Sequence, residues 1–262
     1  TPLWLLKYLP NMLACHVTII HDAQGPSNTI TCGEASAGLS IGESLRVIQR
    51  GQADVCFCGG AESKLNPMVY LRQQMTGQLN PNDNDCPAQA VRPFCRSAAG
   101  TVVGEGGAIV ILESLDTFQA RIAKTASSES QTSNLKSRPY AEVVGFAASQ
   151  TVSRETRNLR PDPQGRSIAA AMRNALREAG IGPEAIDLVI PFGSGVPEID
   201  QAEAAALRSV LGDRLKDVPV TPIKSMAGNC GAGAAGIDLC IAAKALQSQT
   251  IPATINCDQP LD

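Results

Sequence analysis

Apolar and polar positions along the chain follow two rhythms, a helical one and a strand one, and the two take turns. Leu5 to Ile20 carries apolar residues at mixed spacing, which predicts a helix burying one face. Asn28 to Cys32 reads as a short β-branched strand. From Glu34 to Arg50 the apolar positions Leu39, Ile41, Leu45, Val47 and Ile48 suit a helix, stopped by Gly51. Ala53 to Cys58 predicts a buried strand closed by Gly59-Gly60, and Ala108 to Leu112 another, entered through Gly104-Glu105-Gly106-Gly107. Further strands are expected at Ala141 to Phe146, Asp187 to Pro191 and Val218 to Ile223, with one more begun by Ile251 to Cys257. Helices are expected at Ile168 to Ala179 (stopped by Gly180), Asp200 to Leu211 and Ala232 to Gln247. Strands alternating with helices imply an α/β layered fold with partly parallel sheets.

Two polar stretches break the rhythm. Turn chemistry dominates from Gly77 to Cys95, with Asn80-Pro81-Asn82-Asp83 as its clearest loop signal. Residues 124–138 are polar and low in complexity, and read as a flexible surface loop. That loop divides the chain into two expected halves, 1–138 and 139–262.

Composition narrows the partners. With 262 residues and 44% hydrophobic content the chain can bury a large core. The balance of 22 Lys+Arg against 25 Asp+Glu is mildly acidic and evenly scattered, which argues against nucleic acid. No apolar run is long enough to span a bilayer, and no secretory leader is visible. The chain begins Thr1-Pro2 rather than with Met, as a trimmed chain would. Nine cysteines form no C-x-x-C pair and no Cys/His zinc spacing, so free thiols in a reducing cytoplasm are expected, with no metal and no cofactor. Cys56 and Cys58 share one strand face and read as core packing. The two histidines, His16 and His21, both lie near the start. Gly104-x-Gly106-Gly107 and Gly228-x-x-Gly231 lack the Lys-Ser/Thr of a phosphate loop and the spacing of a dinucleotide site.

The candidate chemistry begins at Gly25 to Gly38, where a strand is expected to turn sharply into a helix. Such an elbow lifts one side chain to a helix N-terminus, where backbone N–H groups and the helix dipole favour negative charge. Enzymes place a Cys or Ser there to attack acyl groups. Here the residue is Glu34, and a carboxylate is no thioester nucleophile.

A series of blocks in fixed order now identifies a likeness: Asn11-Met12 through His16 and Thr18, Gly25-Pro26-Ser27, Gly59-Gly60-Ala61-Glu62, Arg92-Pro93-Phe94, Val103-Gly104-Glu105-Gly106, Asp200-x-x-Glu203 and Lys224-Ser225-Met226. The chain resembles the β-ketoacyl synthases, the 3-oxoacyl-[acyl-carrier-protein] synthases of fatty-acid and polyketide assembly. The resemblance implies a thiolase-like layered fold (α/β/α/β/α), incomplete here at both ends. It also implies acyltransferase chemistry on acyl-carrier-protein or acyl-CoA thioesters, and a dimer joined through the Asn11 to Ile30 region that contains His16 and His21. The family's mechanism uses a Cys nucleophile and two His residues. Counted from the matched blocks, the Cys position is Glu34, the first His position is Phe192 and the second is Asn229. Lys224 and Glu203 match the family, while the Asp of its Arg-Pro-Phe-Asp segment is Cys95.

Each departure removes a chemical function. Glu34 cannot form a labile thioester, and its charge repels a malonyl carboxylate. Phe192 donates no hydrogen bond, and Asn229 cannot shuttle a proton near neutral pH. Removing such cooperating groups costs on the order of 10⁴–10⁶ in rate. The pattern is similar to chain-length factors, the ketoacyl-synthase-like subunits whose nucleophile is replaced and which pair with an active synthase. The expected role is therefore a non-condensing partner subunit, a pseudoenzyme in homodimer or heterodimer. In that reading Glu34 caps its helix and pairs with Lys224, and Lys224 with Glu203 forms a retained buried ion pair. Two readings of other classes stay open: an acyltransferase or decarboxylase that uses Glu34 as base or Cys32 as nucleophile (Cys230 being a further thiol of that sort), and a stand-alone acyl-chain-binding protein.

Overall fold

The computed structural model describes residues 4–6, 9–126, 139–151 and 160–261. Its centre is a two-stranded antiparallel ribbon, β1 (Val55–Ser63) and β2 (Glu105–Glu113), running from the Val55–Glu113 pair to the Ser63–Glu105 pair. Side chains alternate across it. Cys58 points inward and is buried, and Cys56 on the same face is half-buried, whereas Val55, Phe57, Ile109 and Ile111 are exposed on the other face.

Two helices cover the inner face: α2 (Ser36–Gln49) and, far along the chain, α8 (Ala234–Ser248). Their approach depends on small residues. A Cβ at Gly60 would lie 2.6 Å from the Ala232 carbonyl oxygen, and one at Gly233 would lie 2.3 Å from that of Gly106. Ala37 is wholly buried in the same layer. This close packing is why β1 continues past Gly59-Gly60, where the sequence predicts closure: the glycines stay in the ladder and let a backbone turn sit directly on it.

The other helices are α1 (Met12–Ile20), α3 (Pro67–Met75), α4 (Leu115–Ala126), α5 (Arg166–Ala179), α6 (Pro197–Leu211) and the single turn α7 (Lys224–Ala227). Asn66 starts α3 by accepting the Val69 amide on its side-chain oxygen at 3.0 Å, and Pro67 takes the first helical position. Neither α3 nor α4 was expected. Helices α5 and α6 pack through Ala169, Ala206 and Val210, flanked by Ile168, Met172 and Leu176. Gly180 ends α5 in the left-handed conformation, as its position predicts.

Several expected strands are not ladders. Asn28 to Cys32, Ala141 to Phe146 and Ile251 to Cys257 make no strand pairing among the described residues. Asp187–Pro191 and Val218–Ile223 meet only at a parallel Val189–Val220 bridge. A strand is defined by a neighbour that completes its hydrogen bonds, and β propensity alone does not supply one. The Leu5 to Ile20 helix forms only from Met12, and α1 buries none of its residues. Of the expected 124–138 loop, residues 124–126 close α4 and 127–138 lie outside the described residues. Between Gly77 and Cys95 the turn is tied by Asn80, whose amide donates to Asp83 and to the Ala90 carbonyl, and by a two-pronged Arg92–Asp83 pair.

Candidate functional site

The elbow forms as a short turn, Gly33–Ala35, leading into α2. Its closing hydrogen bonds come from Ser36, whose hydroxyl accepts the Cys32 amide (2.9 Å) and donates to the Gly33 carbonyl (2.7 Å). The Glu34 carboxylate turns toward β1 and the turn before α8. There Lys64 Nζ lies 2.5 Å from Glu34 Oε1, and Asn229 Nδ2 donates to the same oxygen at 3.3 Å. Burial works against the charge, but the Lys64 hydrogen bond and charge, joined by Asn229, hold the Glu34 carboxyl below its ordinary range.

Lys64 is 4% exposed and Asn229 3%. Asn229 is fixed from both sides: its amide donates to the Val102 carbonyl (2.8 Å), its carbonyl accepts from Gly104 (3.0 Å), and its side-chain oxygen accepts from Gly231 (3.0 Å). Glu62 accepts the Ala232 amide at 2.6 Å and completes the wall. The sequence expectation that Glu34 pairs with Lys224 is thus corrected. Lys64 sits on the inward phase of the β1 alternation and reaches the elbow first.

Lys224 belongs to a neighbouring cluster. It is 1% exposed, pairs with Asp238 of α8 at 2.9 Å, and holds its ammonium 4.8 Å from the Phe192 ring. Glu203 is not its direct ion-pair partner, a second correction. Glu203 instead accepts the amides of Phe192 (2.8 Å) and Gly193 (2.9 Å), and burial pushes its carboxyl up to about 7. Asp200 is fully buried and accepts four donors: the Ser194 amide and hydroxyl, and the Gly195 and Phe94 amides. These two carboxylates give the Phe192–Val196 turn its shape, because each amide they bind would otherwise be buried without a partner.

The three positions matched to Cys-His-His thus divide into a contact and a neighbour. Glu34 and Asn229 touch, whereas Phe192 lies against Lys224 in the neighbouring cluster. Cys32 is exposed beside the elbow, with its amide rather than its thiol engaged. Cys230 is buried, its thiol donating to the Ala227 carbonyl at 3.6 Å, and burial raises its pKa. His16 lies on α1 and His21 stacks on Phe57 with ring centroids 5.1 Å apart. No cluster of metal-binding side chains occurs among the described residues. At the helix mouth the chain holds a fixed anion against a fixed cation.

Sequence reasoning missed Lys64, Glu62 and Asp238. A signal existed for each. Glu62 and Lys64 continue the even-numbered inward phase set by Cys56 and Cys58, and Asp238 is a lone carboxylate in an apolar helix, which calls for a partner.

The layered arrangement is that of the thiolase-like ketosynthases. It aligns with a structure of a type II polyketide acyl-carrier protein in complex with its ketosynthase bound to the hexaketide, at TM-score 0.84 and 25% identity over 95% of this chain and 57% of that one. The ishigamide ketosynthase/chain length factor aligns at TM-score 0.81 and 28% identity, covering 97% and 56%. The family model for the β-ketoacyl synthase N-terminal domain matches residues 2–117, and that for the C-terminal domain matches residues 140–258. The chain belongs to the β-ketoacyl synthase family. Similar curated proteins include the 3-oxoacyl-[acyl-carrier-protein] synthase 2 of Synechocystis, 31% identical over 99% of this chain and 58% of that protein. The tetracenomycin polyketide synthase ketoacyl synthase alpha subunit of Streptomyces glaucescens is 32% identical over 97% of this chain and 55% of its own length. The chain therefore spans a little over half the length of the relatives it matches.

Proposed function

We propose that this chain is a non-condensing ketoacyl-synthase-like subunit of fatty-acid or polyketide assembly, of the chain-length-factor kind, that acts by pairing with an active synthase. The observation that carries the reading is the closed ion pair at the elbow. A carboxylate held below its ordinary pKa by Lys64 and Asn229 is a poor base and forms no thioester. Phe192 and Asn229 add no proton-transfer group, so decarboxylation and condensation through a Cys and two His have no atoms to run on.

The pairing surface we assign is the Asn11 to Ile30 region. Helix α1 leaves Leu13, Ile19 and Ile20 exposed, the last two at 74%, which suits a helix covered by another subunit. Partners in this reading are acyl-carrier-protein or acyl-CoA thioesters, presented to the complex, and a Cys-bearing synthase. Membership of the family and the likeness to a ketosynthase/chain length factor structure support it.

The test uses radiolabelled acyl-carrier protein. The chain alone should take up no protein-bound label, and mixing it with a Cys-bearing synthase should give a mixed dimer by light scattering, with label on the partner only. A covalent adduct on the isolated chain would favour the acyltransferase reading instead.

A further inference from the structure

The ribbon at the centre of the fold is paired on one side. Among the described residues β1 bonds to β2 and to no other strand. The phase of the ladder says which of its backbone groups are left over. Ser114 N–H donates to the Asp54 carbonyl and Lys64 N–H to that of Gly104, so the even-numbered residues of β1 face β2 with their N–H and C=O groups. Val55, Phe57, Gly59 and Ala61 turn theirs to the open side. There Gly59 N–H finds the Ser40 hydroxyl at 3.2 Å, while the amides of Val55, Phe57 and Ala61 meet no acceptor among the described residues.

That edge lines a cavity of about 800 Å³ together with residues 25–31, α1 and α2. A Cβ at Gly25 would lie 4.0 Å from that of Ala53, so the 25–31 wall closes on the start of the strand. Farther along, Ile30 and Thr31 make no backbone hydrogen bond among the described residues. Two unpaired stretches of extended backbone thus border one cavity.

We infer that this cavity is a strand-docking slot, in which a partner polypeptide lays an extended segment bearing a Lys or Arg along the open edge of β1. Backbone is the ligand chemistry that fits. An acyl chain would bury the waiting N–H and C=O groups without partners, whereas an extended peptide bonds them in turn. Charge points the same way. Glu43 and Glu62 line the cavity, and no Lys or Arg does. Glu62 is taken by the Ala232 amide, but Glu43, half-buried on α2, has no hydrogen bond or ion pair among the described residues. A cation on the incoming strand supplies one. A second copy of this chain is a poorer occupant, because its own unpaired stretches are committed. Residues 25–31 form the wall, Phe146 packs on Gly42 of α2, and Pro252 and Asn256 are tied to Thr221 and Ala88. The strand addition does not rest on the pairing role proposed above.

The experiment follows amide hydrogen exchange of the full chain by NMR, alone and with a synthetic probe. The probe is a seven-residue acetylated peptide that alternates Val and Thr behind an N-terminal Lys. With it, the Val55, Phe57 and Ala61 amides should exchange at least about tenfold more slowly, while those of Cys56, Cys58 and Gly60 stay unchanged. Glu43→Lys, folded by circular dichroism, should weaken the probe's binding at least several-fold. A probe that leaves the three odd-numbered amides unchanged, or that binds Glu43→Lys as well as the parent chain, would overturn the inference. Slowing of those amides with protein concentration alone would give the slot to a second copy and overturn it too.

Discussion

The chemistry of this chain turns on which cation reaches Glu34. Lys64 does so at 2.5 Å from a strand end, while Lys224 is taken by Asp238. Breaking a partly buried pair by halves leaves a charge without its partner, which is costlier than never forming the pair. Lys64→Met should therefore raise the Glu34 pKa above its value in the parent chain, because burial then acts with only the Glu34 backbone amide and Asn229 opposing it. A carbon-detected NMR titration of the Glu34 carboxyl reads this directly. A titration midpoint unchanged from the parent chain would show that Lys64 does not hold the charge. The residue identities at the elbow, Phe192 and Asn229 were legible in the sequence from the matched blocks. The partner was not, since which of two lysines arrives depends on strand phase and turn geometry.

Elements meet here through glycine, and the two kinds of glycine separate cleanly. Gly233 has an ordinary backbone, but any side chain there would run into the Gly106 carbonyl oxygen. Gly51 has open space around it, but its φ of +66° disfavours other residues. Gly233→Val should lower the unfolding free energy by about 1–3 kcal/mol through overpacking. Gly51→Ala should cost about 1 kcal/mol through strain alone. Urea denaturation of both variants tests the ordering, and a harmless Gly233→Val would mean that α8 does not rest on the ribbon as described. The helices α2, α5, α6 and α8 were legible because one amphipathic or small-residue face shows in the spacing. Helices α3 and α4 were overlooked, although Asn66-Pro67 is a readable start signal. The lone strands at Asn28 to Cys32 and Ala141 to Phe146 failed because pairing is a property of two segments.

For the molecule as a whole, two sets of carboxylates pull stability in opposite directions with pH. Glu203, at about 7, and Asp200 and Asp238, likewise raised by burial, bind protons more tightly folded than unfolded. They weaken the fold as pH rises from the unfolded carboxylate range through about 7. Glu34, Asp83, Asp162 and Glu178 have lowered pKa values. For Asp83, Asp162 and Glu178 the leading cause is a side-chain hydrogen bond, from Asn80, Arg166 and Arg46 respectively; for Glu34 it is Lys64 overcoming burial. Their stabilisation is present above the unfolded pKa and is lost as pH falls through the folded one. The denaturation midpoint should accordingly peak near pH 5, falling on the acid side and again toward pH 7.5. A midpoint still rising between pH 5 and 7.5 would contradict the buried state of Glu203.

By itself the sequence determined the family, the helices α2, α5, α6 and α8, and the residues Glu34, Phe192 and Asn229 at the positions counted from the matched blocks, since those are matters of residue type and spacing. Folding in three dimensions decided the counter-ion of Glu34 and the amides gathered by Asp200 and Glu203. The Glu34–Lys64 pair and the Phe94–Asp200 bond join groups far apart along the chain, and the shorter-range bonds at Asp200 and Glu203 depend on a turn geometry that no local pattern encodes.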